Sequence, residues 1–447
     1  MKLSSYLGNQ VSITVFEYDL LSASGKAIDS DTVTKISKAA FVYLKECCLC
    51  DRSESRFLKL KIDSGMEVLQ VQNYAGVVRC PDGTQIEILP KVAKNAVTED
   101  EAESARLSLL MMLKTLKQFR HLETEVANIQ SQKMPLLEIF IAQFLHSINQ
   151  LIKKGIKSDY VREQSNNVFL KGKLLHSQQL KHNFINRHWF YVEFDVYVTD
   201  NPANRVIHSA LNMVWQYTQR NQSKKLCQEL LFAFNEVPFS NDYKHDFSAI
   251  KLQRGMAHYD SPLKWARLIL QGFSPQAMLG SHQAYSLLFP MEAVFESFVA
   301  YYLQQHLPDN VKVSSQVNSK FLVNYGNQPY FWLKPDLQLT LENQQTIIMD
   351  TKWKLIDQTQ TDGTNKFGMS QADFYQMLGY GYKYLAGEGK LVLIYPKTAQ
   401  FDKPLPYSFI FDENSKLQLY VVPFDISYKT KIRIDLTAIG LSHLAQA

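Results

Sequence analysis

Two strand-like runs separated by four polar residues constrain this 447-residue chain more than any other feature. In Leu337-Gln338-Leu339-Thr340-Leu341 the leucines alternate with polar side chains, the period of a half-buried strand. Thr346-Ile347-Ile348-Met349-Asp350-Thr351-Lys352-Trp353-Lys354 is also rich in β-formers. The linker Glu342-Asn343-Gln344-Gln345 suits a hairpin, which brings Asp336, just ahead of the first run, alongside Asp350 in the second. Asp350, Lys352 and Lys354 then share one face, and Met349, Thr351 and Trp353 the other. Two carboxylates held that close repel each other unless a cation sits between them. With an amine beside them, they can bind a divalent metal and cut a phosphodiester. Taken alone, D-x-K is a common spacing, and an exposed hairpin with an ordinary Asp/Lys pair is the plainer account.

The flanking segments favour the chemical reading. From Pro290 to Leu303, Met291, Val294, Phe295, Phe298, Tyr301 and Tyr302 recur at helical steps. Glu292 and Glu296 lie one turn apart on that helix, so either can reach the hairpin acids. Downstream, Ser370 is an N-cap for a helix through Tyr380 that carries Q-x-x-x-Y twice, as Gln371/Tyr375 and Gln376/Tyr380. Which pair faces inward is open, and plain helix packing explains either. After Gly387 and Gly389, Lys390-Leu391-Val392-Leu393-Ile394-Tyr395-Pro396 reads as a strand buried in a sheet core.

This order of elements resembles the PD-(D/E)xK nuclease superfamily and, within it, the McrC family, the nuclease subunit of McrBC 5-methylcytosine-dependent restriction systems. The residues that carry the resemblance are Met291 with Phe295-Glu296-Ser297-Phe298-Val299, Leu333-Lys334-Pro335-Asp336-Leu337, Asp350-Thr351-Lys352-Trp353-Lys354, and Gln371-Ala372-Asp373-Phe374-Tyr375-Gln376-Met377 with Tyr380. Looser similarity runs through Asn73-Tyr74-Ala75-Gly76-Val77-Val78, Ile86-Glu87-Ile88-Leu89-Pro90-Lys91, Phe169-Leu170-Lys171-Gly172-Lys173 and Asn204-Arg205. The resemblance implies an α/β (α+β overall) chain whose C-terminal core is a restriction-endonuclease-like mixed sheet flanked by helices.

The reading divides the chain into a β-rich segment 1–97, a mainly helical segment 98–272 and a nuclease segment 273–447, the last introduced by Gly272-Phe273-Ser274-Pro275. Early strands are expected at 57–63, 66–71, 75–80 and 85–89, with a helix from Ser30 to Glu46. Further helices are expected at 134–153, 201–220 and 261–270, and β-like stretches at 168–173 and 189–198. A hydrophobic share of 46% is ample for sizeable cores, and a net charge of +5 permits nucleic-acid binding without demanding it. Basic residues gather at 153–157 and from Lys171 to His188, a pattern that suits nucleic acid but more often marks a wet face. No apolar run reaches the roughly twenty residues of a membrane span, and the N-terminus lacks an apolar leader core, so a cytoplasmic location is expected. Cys47, Cys48 and Cys50 have no second ligand pair after them and read as reduced thiols.

The expected centre holds Mg²⁺ on Asp336 and Asp350, with the Thr351 carbonyl and, directly or through water, Glu296 as further ligands. Lys352 orients the attacking water and stabilises charge on the phosphate, while Gln371, Tyr375, Gln376 and Tyr380 position DNA or the lysine. No G-x-x-x-x-G-K-[ST] occurs: Gly25-Lys26-Ala27, Gly172-Lys173-Leu174 and Gly389-Lys390-Leu391 all lack the final hydroxyl. The resemblance to McrC implies double-stranded DNA as substrate and, as partner, a ring-forming AAA+ GTPase of the McrB kind, with segment 1–97 as its docking element. A stand-alone repair nuclease and a non-catalytic adaptor of an AAA+ ring are the competing readings.

Overall fold

Strands dominate the start of the chain. β1 (Ser12–Phe16), β2 (Leu20–Ser22) and β3 (Val33–Lys35) precede helix α1 (Lys38–Cys50), which is followed by β4 (Leu58–Asp63), β5 (Met66–Val71), β6 (Tyr74–Arg79) and β7 (Gln85–Leu89). The turn between β6 and β7 is closed by Asp82, which accepts from the Thr84 amide at 3.0 Å and hydroxyl at 2.8 Å, with Gly83 at φ 90°. Helix α1 starts later than its periodicity predicts. Val33 and Thr34 are β-branched and pair with β2, and Ser37 caps the helix by accepting from the Ala40 amide at 2.9 Å. Helix α2 (Glu99–Thr115) then lies on β7. There Arg106 grips the buried Glu87 carboxylate through two 2.8 Å bonds.

In the computed structural model the described residues are 12–23, 33–50, 56–63, 65–91, 99–116, 134–252, 255–271, 286–361, 363, 365–411, 416–428, 430 and 433–439. The linker expected at 272 and residues 30–32 of the expected first helix lie outside them. Two compact units emerge, Met1–Lys133 with Ser274–Ala447, and Met134–Phe273. The first unit takes in residues of the expected β-rich and nuclease segments, since residues 286–290 pair with residues 74–78 in one sheet.

The unit Met134–Phe273 contains α3 (Leu136–Lys154), β8 (Asp159–Asn167), β9 (Lys173–Leu174), α4 (His176–Asn183), β10 (Phe190–Val198), α5 (Pro202–Tyr217), α6 (Asn221–Ala233), α7 (Tyr243–Ala249) and α8 (Asp260–Gln271). The β-like stretch expected at 168–173 is mostly loop, and the strand opposite β10 is instead the polar run β8. At Gly172, φ 73°, a Cβ would stand 2.4 Å from the Glu193 carbonyl, so glycine is required where this loop crosses β10. Asn204 is fully buried and bonds the carbonyls of Lys157 and Thr199 at 2.9 and 2.7 Å.

The C-terminal part of the other unit runs β11 (Ser286–Pro290), α9 (Met291–His306), β12 (Lys312–Ser315), β13 (Lys320–Tyr325), β14 (Gln328–Leu333), β15 (Leu337–Thr340), β16 (Thr346–Thr351), α10 (Gln371–Leu385), β17 (Gly389–Pro396), β18 (Phe409–Ile410) and β19 (Leu417–Phe424). A mixed six-stranded sheet has the order β12-β15-β16-β17-β19-β18, with β16, β17 and β19 parallel. Its core is Ile348, Leu391, Leu393, Tyr395 and Leu419, closed by Met377 and Tyr380 of α10. β11 does not join this sheet but pairs antiparallel with β6, completing the order β1-β7-β6-β11. The fold is thus mixed α/β. Among the described residues no helix is long and apolar enough to cross a membrane. Cys47 and Cys48 form no disulfide among the described residues.

Candidate active site

The hairpin β15–β16 sets the geometry. Leu337 lies opposite Met349 in the antiparallel register, so Asp336 falls opposite Asp350 one step further along. The Thr351 amide and hydroxyl donate to Asp336 Oδ2 at 2.8 and 2.7 Å, which fixes that carboxylate against the second strand. Asp350 is 1% exposed. Its Oδ2 lies 2.6 Å from Lys352 Nζ in an ionic contact, yet accepts no well-directed hydrogen bond. Beyond Thr351 the chain leaves the strand, and the Lys352 amide still donates to the Ile394 carbonyl of β17 at 2.9 Å.

A polar chain then leads to α10 and back. Lys352 Nζ donates to Gln376 Oε1 at 2.9 Å, Gln376 Nε2 donates to the Tyr380 hydroxyl at 2.7 Å, and that hydroxyl donates to the Lys334 carbonyl at 3.0 Å. The ammonium is therefore aimed by a glutamine whose own position is tied to the residue two before Asp336. The pair Gln376/Tyr380 is the inward one, because Met377 and Tyr380 bury that side of α10. Gln371 and Tyr375 are not brought to the acids: Gln371 donates to the Tyr375 hydroxyl at 2.5 Å on the exposed side of the helix.

Of the two glutamates, Glu296 is the one that approaches. It accepts from the Gln316 side chain, and the Gln316 backbone N–H donates to the Asp336 carbonyl at 2.8 Å. Glu292 instead accepts from Asn73 at 3.1 Å. Lys354 is engaged by Asp373 at 2.8 Å. Gln316 was not singled out by sequence reasoning, and Asp373 was quoted only within a resemblance-bearing segment, with no role at the site. Asp373 left a signal as the acid in the first turn of α10, whereas Gln316 sits in a loop and left none.

Electrostatics follow from crowding. Burial, then the neighbouring Asp336, push the Asp350 carboxyl up to about 7 against the pull of Lys352. Burial and Asp336 also raise Glu296. Burial disfavours the Lys352 ammonium, but Asp350, Asp373 and Asp336 together hold its pKa above the ordinary lysine value. Among the described residues no three His, Cys, Asp or Glu side chains form a ready cation cage. The donors that suit a hard cation are the Asp336 and Asp350 carboxylates, whose mutual repulsion raises Asp350 and which a cation between them would offset.

Among solved structures, a chain of the refined half-complex from the tetradecameric assembly of Thermococcus gammatolerans McrB AAA+ hexamers with bound McrC matches with a TM-score of 0.65 at 20% identity, over 93% of this chain and 95% of that chain. A chain of the cryo-EM structure of the Thermococcus gammatolerans McrBC complex is 23% identical with a TM-score of 0.49, over 66% of this chain and 88% of that chain. At these identities the likeness is one of fold. No curated protein matches. The McrBC 5-methylcytosine restriction system component family matches residues 69–396, a span that takes in β6 and β7, the hairpin acids, α10 and β17, and the chain belongs to that family.

Proposed function

We propose that this chain is the DNA-cleaving subunit of a modification-dependent restriction complex, hydrolysing phosphodiesters of double-stranded DNA with Mg²⁺ when assembled with an AAA+ GTPase ring that it stimulates. The observation that carries this reading is the convergence of Asp336, Asp350 and Lys352 on one end of a hairpin, with the Asp350 carboxylate buried against the Lys352 ammonium. Asp336 and Asp350 would hold the ion, with the Thr351 carbonyl and, through water, Glu296 as further donors. When bound, Mg²⁺ supplies Lewis-acid polarisation of the phosphate and a more acidic water.

The protein's own groups do the rest. Thr351 keeps Asp336 from rotating away, through its amide and hydroxyl. Lys352 stands beside the acids as a cation for charge that builds on the phosphate, and it orients the attacking water. Gln376 and Tyr380 restrict where that ammonium points. The lack of a P-loop motif in this sequence is consistent with the reading that GTP hydrolysis belongs to a partner. The similar solved chain comes from an assembly of McrB AAA+ hexamers with bound McrC, which supports a partner of that kind.

The test combines the full chain with its AAA+ partner, GTP, Mg²⁺ and duplex DNA carrying 5-methylcytosine. Asp350→Ala and Lys352→Ala are each expected to abolish cleavage while stimulation of the partner's GTPase survives. Undiminished cutting by both variants would remove the site assignment. Robust cutting by the wild-type chain without partner would favour a stand-alone nuclease instead.

A further inference from the structure

Immediately after Lys352 the chain drives Trp353 into the protein, where it is 2% exposed with its ring 5.3 Å from Phe295 of α9. The indole N–H donates to both oxygens of Glu17 at 3.0 Å, across 336 residues of sequence. The Trp353 carbonyl accepts from Lys91 Nζ at 2.9 Å, across 262 residues. Lys91 closes the circuit, since its own amide donates to Glu17 Oε2 at 2.9 Å. Its ammonium also lies 4.7 Å above the Tyr18 ring. Glu17 is 0% and Lys91 3% exposed, so two charged groups have been withdrawn from water around one tryptophan.

Burying such charges is costly, and apolar side chains of similar volume commonly stabilise as well or better. Packing alone therefore gives no reason for this choice. What the charges supply is direction. An ammonium and a carboxylate fix both the carbonyl and the ring of residue 353, while Ile394 fixes the amide of residue 352. The peptide that bears the Lys352 side chain is thereby held from two sides, by β17 and by the ends of β1 and β7. Burial pushes the Glu17 carboxyl up to about 7 despite the neighbouring Lys91 ammonium.

We infer that Glu17 and Lys91 are positioning residues for Lys352, acting through Trp353, and that the strands of the N-terminal sheet thereby hold the geometry of the cleavage centre. The inference rests on the reading of Asp336, Asp350 and Lys352 as that centre. It also accounts for the resemblance-bearing segment Ile86-Glu87-Ile88-Leu89-Pro90-Lys91, for which the proposed chemistry has no use.

The experiment measures kcat and KM for 5-methylcytosine-containing duplex, with the full chain, its AAA+ partner, GTP and Mg²⁺, for Glu17→Gln, Lys91→Met, Lys91→Arg and Trp353→Phe. Trp353→Phe keeps an aromatic ring against Phe295 while it removes the N–H and the volume of the pyrrole half of the indole. The expected result is a fall in kcat of about 10–100-fold for Glu17→Gln, Lys91→Met and Trp353→Phe. KM for DNA and stimulation of the partner's GTPase should stay at wild-type values, and Lys91→Arg should recover part of the loss. The double variant Glu17→Gln/Trp353→Phe should be no slower than the slower single one, because both act on the same Glu17–Trp353 contact. Wild-type kcat in these variants, with Lys352→Ala inactive, overturns the positioning role. Wild-type cleavage by Lys352→Ala overturns the cleavage centre itself. If Glu17→Gln or Lys91→Met fails to fold by circular dichroism, Trp353→Phe alone decides, by whether its kcat falls without a change in KM.

Discussion

Lys352 has two partners with different jobs, since Asp350 supplies charge and Gln376 supplies aim. Replacing Gln376 by Leu leaves the charge and removes the aim. Initial rates of cleavage at saturating DNA should then fall about 10–100-fold, the usual cost of losing a hydrogen bond that orients a working group. Gln371→Leu, on the exposed side of α10, should cleave at the wild-type rate. Glu17 gives a pH prediction. Its carboxyl is raised from 4.5 to about 7, so the folded chain holds a proton that the unfolded chain releases earlier. The stability this contributes is present in full below pH 4.5 and lost as pH rises through about 7, on the order of 3 kcal/mol in all. Urea unfolding at pH 5 and pH 8 should show a smaller loss for Glu17→Gln than for wild type. At this scale the sequence was informative where the chemistry is local: Asp336, Asp350 and Lys352 meet because one hairpin folds them together. Gln376 and Gln371 share the same helical spacing to a tyrosine, so only the docking of α10 separates them. The bonds of Glu17 and Lys91 to Trp353 join residues hundreds of positions apart, and no local pattern announces them.

Elements with strong periodicity were legible. The hairpin β15–β16, helices α9 and α10 and the apolar strand β17 all stand where alternation and helical spacing place them. Those whose two faces are alike were not. β8 is mostly polar, and its Tyr160 and Val161 are exposed, so no buried face stamps a period on it. The exposed aromatic hairpin β13–β14 escaped for the same reason. Gly76 shows how one element constrains another. With φ at 141°, a Cβ there would stand 1.8 Å from the Leu287 carbonyl, so β11 can lie beside β6 only if the position is bare. Gly76→Ala should destabilise the chain by about 3 kcal/mol in chemical denaturation, through backbone displacement and strain. Arg106→Ala should cost about 3 kcal/mol or more, because it leaves the Glu87 carboxylate in the interior without its bidentate cation.

For the whole molecule, metal and stability should be linked. Mg²⁺ that binds the folded chain alone, at ten times its Kd, adds about 1.4 kcal/mol. The melting temperature of wild type should therefore rise by a few degrees with Mg²⁺, and that of Asp350→Asn should not. Chelation should stop cleavage and leave circular dichroism unchanged, since the six-stranded sheet is held by its apolar core. The pairing of β6 with β11 has a temporal consequence. The apolar flank of β6 has no neighbour on one side until residues 286–290 have been made and have folded back. A nascent chain therefore reaches the middle of its synthesis with an unfinished sheet and an exposed sticky border. The ribosome must deliver residues 286–290 before that border closes, so a product truncated ahead of them is expected to be a target for chaperones and proteases.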